Sequence, residues 1–376
     1  MHTPETSRLF TRWKNPASGV ESLILTCRLA PVQRQFYFVN RGFSDDGRFL
    51  WLRCEFPPPG GMRAVPVLAV VDFERDEMRV YHETQFSNSA ALVDPKTAEV
   101  YWVNELDLWK RGPHADDRAV RVNTFPRELI KGRHIDRIDR LATHMTFSPD
   151  GRCVNIDARF GTEVSVGTMP LDGSPVQIWQ TFDRFMDHGQ FSPTDPDVQM
   201  LAHEYWQDAD CGPFDGLRPY HRLWLIRRGQ PAQPILRAPV SHSGHEWWDP
   251  DGKHIWYVHY GVGIKKVDLE TREEDLLWPG HLAHGYADVT GRYLVADMMS
   301  DPVICDCHVA FRDVLTGKEL EIVNRPPLAR HLTQCGHLHP HPQFCLHDRY
   351  ICHTTTIHDR VDLALVPTAE LIARTQ

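Results

Sequence analysis

Short runs rich in Val, Ile, Leu, Tyr and Trp punctuate this chain, each entered through a polar cluster of Asp, Gly or Pro. The pairing recurs. FSDDGRFLWL starts at Phe43, FSPDGRCVNI at Phe147, FSPTDPDVQML at Phe191 and WDPDGKHIWYV at Trp248; looser copies are ADVTGRYLVAD from Ala287 and FCLHDRYICHT from Phe344. Turn residues followed by β-branched and aromatic side chains read as strand, turn, strand. The gap between the first two copies is about twice the usual one, and ALVDPKTAEVYWV, with Asp94 and Pro95 in its turn, fits midway. Seven units result. Hairpin-like pairs such as LWLIRRGQPAQPILRA and IKKVDLETREEDLLW lie between the turns, and no long amphipathic helical period interrupts them.

Four-strand repeats at ~40–50 residues are the signature of a β-propeller. One blade cannot bury both its faces alone, whereas a ring of blades does so and leaves only short, protected edges. A two-sheet sandwich has no cause to repeat its turn in this way. The expectation is an all-β fold, a single seven-bladed β-propeller domain over residues 1–376, with SLILTCRL near the N-terminus pairing with the last blade to close the ring.

Composition narrows the function. The net charge of −9 over 376 residues argues against a nucleic-acid binder, which needs a basic face. Any anionic substrate must then be met by local positive charge. The opening MHTPETSRLFTRWKN has no apolar core of a signal peptide, and the longest apolar run, AVPVLAVVDF, is too short to span a bilayer. Nine cysteines, an odd number with no CxxC pair, fit reduced thiols. These features together predict a cytoplasmic protein without a membrane or nucleic-acid partner.

Of the 22 histidines, five share one register: His144, His188, His245, His284 and His341 sit three positions before the turn aromatic or its equivalent, where the first copy carries Asn40. In a propeller this position leads into the innermost strand, beside the central channel, so a ring of blades aims the side chains at one axial pocket. A packing role for the imidazoles is the bland alternative; the divergence of their flanks (GHEWW, AHGYA, HPHPQF) speaks for a site. His339 and His341 alternate along a segment that Pro340 and Pro342 bias towards extended backbone, so both reach one side. With His284 from the neighbouring blade and Gln334 as a nearby oxygen donor, they form a nitrogen–oxygen set suited to Mn²⁺, Zn²⁺ or a related divalent ion.

The repeats, SHSGHEWWDPDG, HEYW…HRLWLI and the terminal HPHPQF together resemble the oligogalacturonate lyases, cytoplasmic seven-bladed propellers of pectin breakdown. The resemblance is strongest from about Phe147 to His353. It implies a manganese site of three histidines and a glutamine, a histidine base and an assisting arginine. By position the metal ligands fall on His284, His339, His341 and Gln334, the base on His245, and the arginine on Arg222, with Arg218 the alternative. Two departures stand out. The family's Q-x-x-H-x-H spacing is met by Gln334, His337 and His339, whereas the turn register selects His339 and His341 and puts Gly336 at the glutamine position; Gln334 then serves only if the loop bulges. The segment after His203 and Glu204 is altered and enlarged, and such loops line substrate pockets. His203 therefore joins His144 and His188 as a candidate for binding substrate, while Glu204 and Glu246 read as supporting groups or surface charge.

The implied reaction is β-elimination on an acidic oligosaccharide: loss of the C5 proton of a uronate, departure of the C4 oxygen and formation of a 4,5-unsaturated uronate. A cation on the carboxylate offsets the charge that opposes carbanion formation, and a neutral histidine suits the base. The alternatives are a non-catalytic TolB-like propeller binding a protein or glycan, and a metallohydrolase, which would need a carboxylate at the ion.

Overall fold

The computed structural model describes residues 1–56, 65–86, 90–130, 138–208, 219–298, 308–324 and 339–376. These residues form seven small antiparallel sheets arranged as a seven-bladed β-propeller. Blade 1 runs from Val32–Arg34 through Phe49–Phe56 and Val65–Asp72 to Glu77–Tyr81. Blades 2 to 6 occupy 92–124, 153–182, 186–234, 243–279 and 284–323. Blade 7 is composite. Gln343–Cys345, Tyr350–Thr355 and Asp362–Pro367 are joined by Glu21–Leu25 and Phe10–Lys14, through Leu23↔Leu365 and Ile24↔Ala364. The stretch SLILTCRL thus closes the ring as the sequence suggests.

The repeated turn has one physical basis. Gly47 and Gly151 adopt φ of +70°, a left-handed conformation glycine takes without steric cost. In each turn the serine after the aromatic accepts a strand N–H, from Phe49 onto Ser44 and from Cys153 onto Ser148, and its hydroxyl donates to Asp46 or Asp150. Blade 3 departs from four regular strands among the described residues: its innermost strand is reduced to a bridge between Phe147 and Val154.

Seven hydrophobic clusters lie between successive blades. Leu52 and Ala69 of blade 1 meet Leu363 and Leu365 of blade 7, and Trp51 and Val70 meet Val93 and Trp102 of blade 2 on the other face. Middle strands are therefore apolar on both sides: every residue of Val198–His203 and of Tyr350–Thr355 is buried, while outer strands such as Glu274–Pro279 are largely exposed. Among the described residues no helix is long and apolar enough to cross a membrane, and the five cysteines there are free.

One irregularity shapes the channel. The innermost strand of blade 1 pairs at Arg34↔Arg53, then not again until Phe43↔Leu50. Residues 35–42 thus oppose only Trp51 and Leu52, and the surplus chain is thrown into the axis. Phe38, 0% exposed, crosses to the cluster between blades 5 and 6, where it contacts Trp247 and Tyr286. Burying such a ring stabilises the excursion by about 1.5–3 kcal/mol.

Candidate active site

A belt of hydrogen bonds holds the innermost strands around the axis. The Gln343 amide donates to the Asn40 carbonyl (3.2 Å), Asn40 to Met145 (2.8 Å), Asn155 to Gly189 (2.7 Å) and Gln190 to Glu246 (2.9 Å). His245 Nδ1 donates to the Ala283 carbonyl, and the His341 N–H to Asp297 (3.1 Å). On one side of this belt the register histidines converge; on the turn side lies a separate cavity of about 480 Å³, lined by residues including Arg41, Trp247 and Tyr286.

Three of the converging histidines, His188, His245 and His341, have φ of +51°, +52° and +49°. Left-handed backbone is uncommon for any residue but glycine and costs on the order of 1–3 kcal/mol. For His188 and His245 it occurs where strand pairing slips, between Asp187 and Gln190 and between Gly244 and Trp247. Such bulges re-aim a side chain. His341 departs from the extended conformation expected before Pro342. Its N–H is fixed by Asp297, and Gln35 of the blade 1 excursion donates to the carbonyls of both His341 and Pro340 (2.8 Å to the latter), which together hold the turned conformation.

His284, His339 and His341 nonetheless meet: their candidate ligand nitrogens all lie within 4.8 Å of one another. Asp297 orients the set. It accepts the His284 backbone N–H (2.8 Å), the His284 Nδ1–H (2.9 Å) and the His341 N–H. With Nδ1 protonated, His284 Nε2 carries the lone pair, and that atom is buried without a partner. An orphaned imidazole nitrogen beside two others, backed by a carboxylate, fits a divalent cation. Gln334 and His337 lie outside the described residues, as does Arg218.

His245 stands beside this set, its ring 3.7 Å from that of His284. Its Nδ1–H is shared between the Ala283 carbonyl and the Tyr260 oxygen (2.8 Å), which leaves Nε2 unprotonated. Burial, then His284 and Arg222, push its pKa well below the ordinary imidazole value. Arg222 is buried in a closed group: Nε donates to Glu246 (3.1 Å), Nη1 to Glu204, and Nη2 lies 3.4 Å from His188 Nδ1. His188 in turn donates to Glu246 (3.0 Å). Burial opposes every charge here. Arg222 and His188 nevertheless hold Glu246 down at about 2, and Asp187 and Glu246 raise His188 to about 9. Glu204 and Glu246 are therefore buried counter-charges, not surface groups. Asp187, His188 and Glu204 also approach as ligand atoms, but the guanidinium already supplies the cation there.

The remaining candidates divide. His144 is buried with both ring nitrogens unpartnered. His203 Nε2 is taken by Asp208 (2.7 Å) in the turn that follows its strand. One axial residue escaped the sequence reading: Tyr37, in the excursion, stacks on His144 (4.1 Å, 8°) and touches the rings of His188, His245, His284 and His341. Its only signal is its place three residues before Asn40, in a repeat whose register position carries asparagine instead of histidine.

No protein-family model matches the chain. Oligogalacturonate lyase of Dickeya dadantii (strain 3937) is 22% identical to it, with 95% of each protein covered. Two solved structures superpose well. An oligogalacturonate lyase in complex with manganese has a TM-score of 0.72 at 18% identity, covering 99% of this chain and 100% of that one. An oligogalacturonate lyase from Vibrio parahaemolyticus has a TM-score of 0.73 at 17% identity, covering 96% and 97%. The chain thus shares the fold of those two structures and is similar in sequence to oligogalacturonate lyase along nearly its whole length.

Proposed function

We propose that this protein is a divalent-metal-dependent lyase that cleaves short uronic-acid oligosaccharides of the oligogalacturonate type by β-elimination, in the cytoplasm. The observation that carries this reading is the meeting of three imidazoles from two blades, one with an orphaned Nε2, beside a fourth whose Nε2 is free to accept a proton. The sequence and fold likeness to oligogalacturonate lyases supports the substrate class, and the manganese of one such structure supports the choice of Mn²⁺.

His284, His339 and His341 would hold the cation, with Asp297 fixing the tautomer of His284; Gln334 is the proposed fourth donor. When bound, the cation supplies Lewis-acid stabilisation to the uronate carboxylate. His245 takes the C5 proton at Nε2, and its lowered pKa keeps it unprotonated at neutral pH. Arg222 works through its charge. Its fork is committed to Glu204 and Glu246, so it offsets negative charge in the chamber wall and fixes Glu246, which in turn accepts from His188. His144 and His188 border the space a sugar would enter, and His203 is tied to Asp208 in the turn that follows its strand.

The test is incubation with saturated trigalacturonate and Mn²⁺, with and without prior chelation, read by the ultraviolet absorbance of the unsaturated product and by mass. Metal-dependent appearance of an unsaturated uronate is the expected outcome. Cleavage without a new double bond would convert the reading to hydrolysis, and no cleavage of any uronide would refute it.

A further inference from the structure

Tyr37 occupies the centre of the chamber for reasons that lie in its own segment. Gln35 ties one side of the excursion to the carbonyls of Pro340 and His341, and Phe38 anchors the other between blades 5 and 6. A turn from the Asn40 N–H to the Tyr37 carbonyl (2.8 Å) fixes the backbone between them. The ring is therefore held from both sides. Imidazoles from five blades surround it, two of them, His284 and His341, belonging to the candidate metal set and a third, His245, being the candidate base.

The hydroxyl is what packing does not explain. A phenylalanine ring would make the same contacts. Among the described residues the Tyr37 oxygen has no hydrogen-bond partner, and unlike the Tyr205 and Tyr220 oxygens it is not sealed from solvent, so it opens into the chamber. The ring is only part-buried, and the charged groups acting on the phenol are Glu246, Arg222 and Glu204, with the Tyr260 phenol among them. The ring lies against His188, whose imidazole bonds to Glu246 of the Arg222 group, and against His284 and His341 of the metal set. A neutral phenol at this position is a fixed donor without an acceptor.

We infer that Tyr37 is a catalytic residue of the elimination, donating a hydrogen bond to the glycosidic oxygen as it leaves C4. This inference rests on the lyase reading above. In the step, C5 loses its proton to His245, the freed electron pair forms the C4=C5 bond, and the C4–O pair departs on the oxygen of the leaving sugar. That oxygen becomes a hydroxyl by taking a proton from water, and His245 returns its proton to solvent. Negative charge grows on the leaving oxygen only as the bond breaks. A donor already aimed there acts on the transition state more than on the bound substrate.

The experiment compares wild type with Tyr37→Phe, which keeps the ring and its contacts. Unsaturated product is measured alongside deuterium uptake at C5 of recovered substrate in D₂O, with metal content and thermal midpoint as controls. The expected result is a fall in kcat of about 10²-fold with KM and metal content unchanged. Recovered Tyr37→Phe substrate should also gain C5 deuterium faster than product forms, because proton removal outlives the impaired departure. A kcat within about threefold of wild type, or uptake and elimination falling together, would overturn the inference. Absence of unsaturated product from the wild type would instead refute the lyase reading.

Discussion

Replacing Asp297 with asparagine isolates the contribution of one buried carboxylate to metal affinity. Asp297 is 0% exposed and accepts three N–H groups: the His284 backbone (2.8 Å), His284 Nδ1 (2.9 Å to each oxygen) and the His341 backbone (3.1 Å). Burial alone would raise its carboxyl pKa, but His284 and the N–H donors outweigh it and hold the group below the usual carboxylate range. Asparagine keeps the shape and loses one acceptor oxygen. If the amide nitrogen takes the outer position it faces the His341 N–H, and if it takes the inner one it faces His284. In either case a buried donor is left unpaired, at a cost of about 1–3 kcal/mol in stability. The neutral side chain also stops favouring the Nδ1–H tautomer that leaves Nε2 free to bind. Outer partners of ligand histidines are worth about 10–100-fold in metal affinity, or about 1.4–2.8 kcal/mol. Calorimetric titration of chelator-stripped protein with Mn²⁺ should show Kd rising by that factor, and urea unfolding of the same samples should report the stability loss. An Asp297→Asn protein that binds Mn²⁺ within about twofold of wild type would refute the argument that this carboxylate sets the tautomer of His284.

Three further outcomes follow from the same geometry. His245→Ala should lower kcat by about 10²–10⁴-fold while leaving Mn²⁺ affinity close to wild type, since the residue stands outside the ligand set; a matching loss of metal would reassign it. Arg222→Met leaves Glu204 and Glu246 buried without their cation and should destabilise the fold by about 3–5 kcal/mol in urea, the penalty of a broken buried pair. His188, raised to about 9 in the fold against ~6.5 unfolded, contributes stability that is complete below pH ~6.5 and is lost as pH climbs through 9; the thermal midpoint of wild type should fall over that window, and His188→Gln should flatten the slope.

Much of the architecture was legible because the turn is chemically forced. Wherever Ser, Asp and Gly supply the hydroxyl, the carboxylate and the left-handed φ, as at 44–47 and 148–151, the copy is plain in the sequence. Blade 2 was recoverable only from Asp94 and Pro95. The histidine register carried over for a similar reason: a fixed offset from the turn is a fixed height along the axis. What escaped the sequence depends on distant partners. The blade 1 excursion looks like an ordinary apolar run, FYFVN, until Phe38 docks between two blades on the far side of the channel. Glu204 and Glu246 look like surface charge until Arg222 lies between them. The backbone of His341 follows Asp297 and Gln35 rather than the local preference before proline.

The composite seventh blade ties two events together. Leu23 and Leu365 sit side by side in the sheet that closes the ring, and the innermost strand of that sheet begins at Gln343, directly after the His339–Pro342 segment. Parting the N-terminal strands from that sheet would loosen the footing of two of the three imidazoles. Amide hydrogen exchange should therefore find Ile24 and Ala364 slowing together when Mn²⁺ is added, so that the ion acts as a latch on a seam between residues more than three hundred positions apart along the chain.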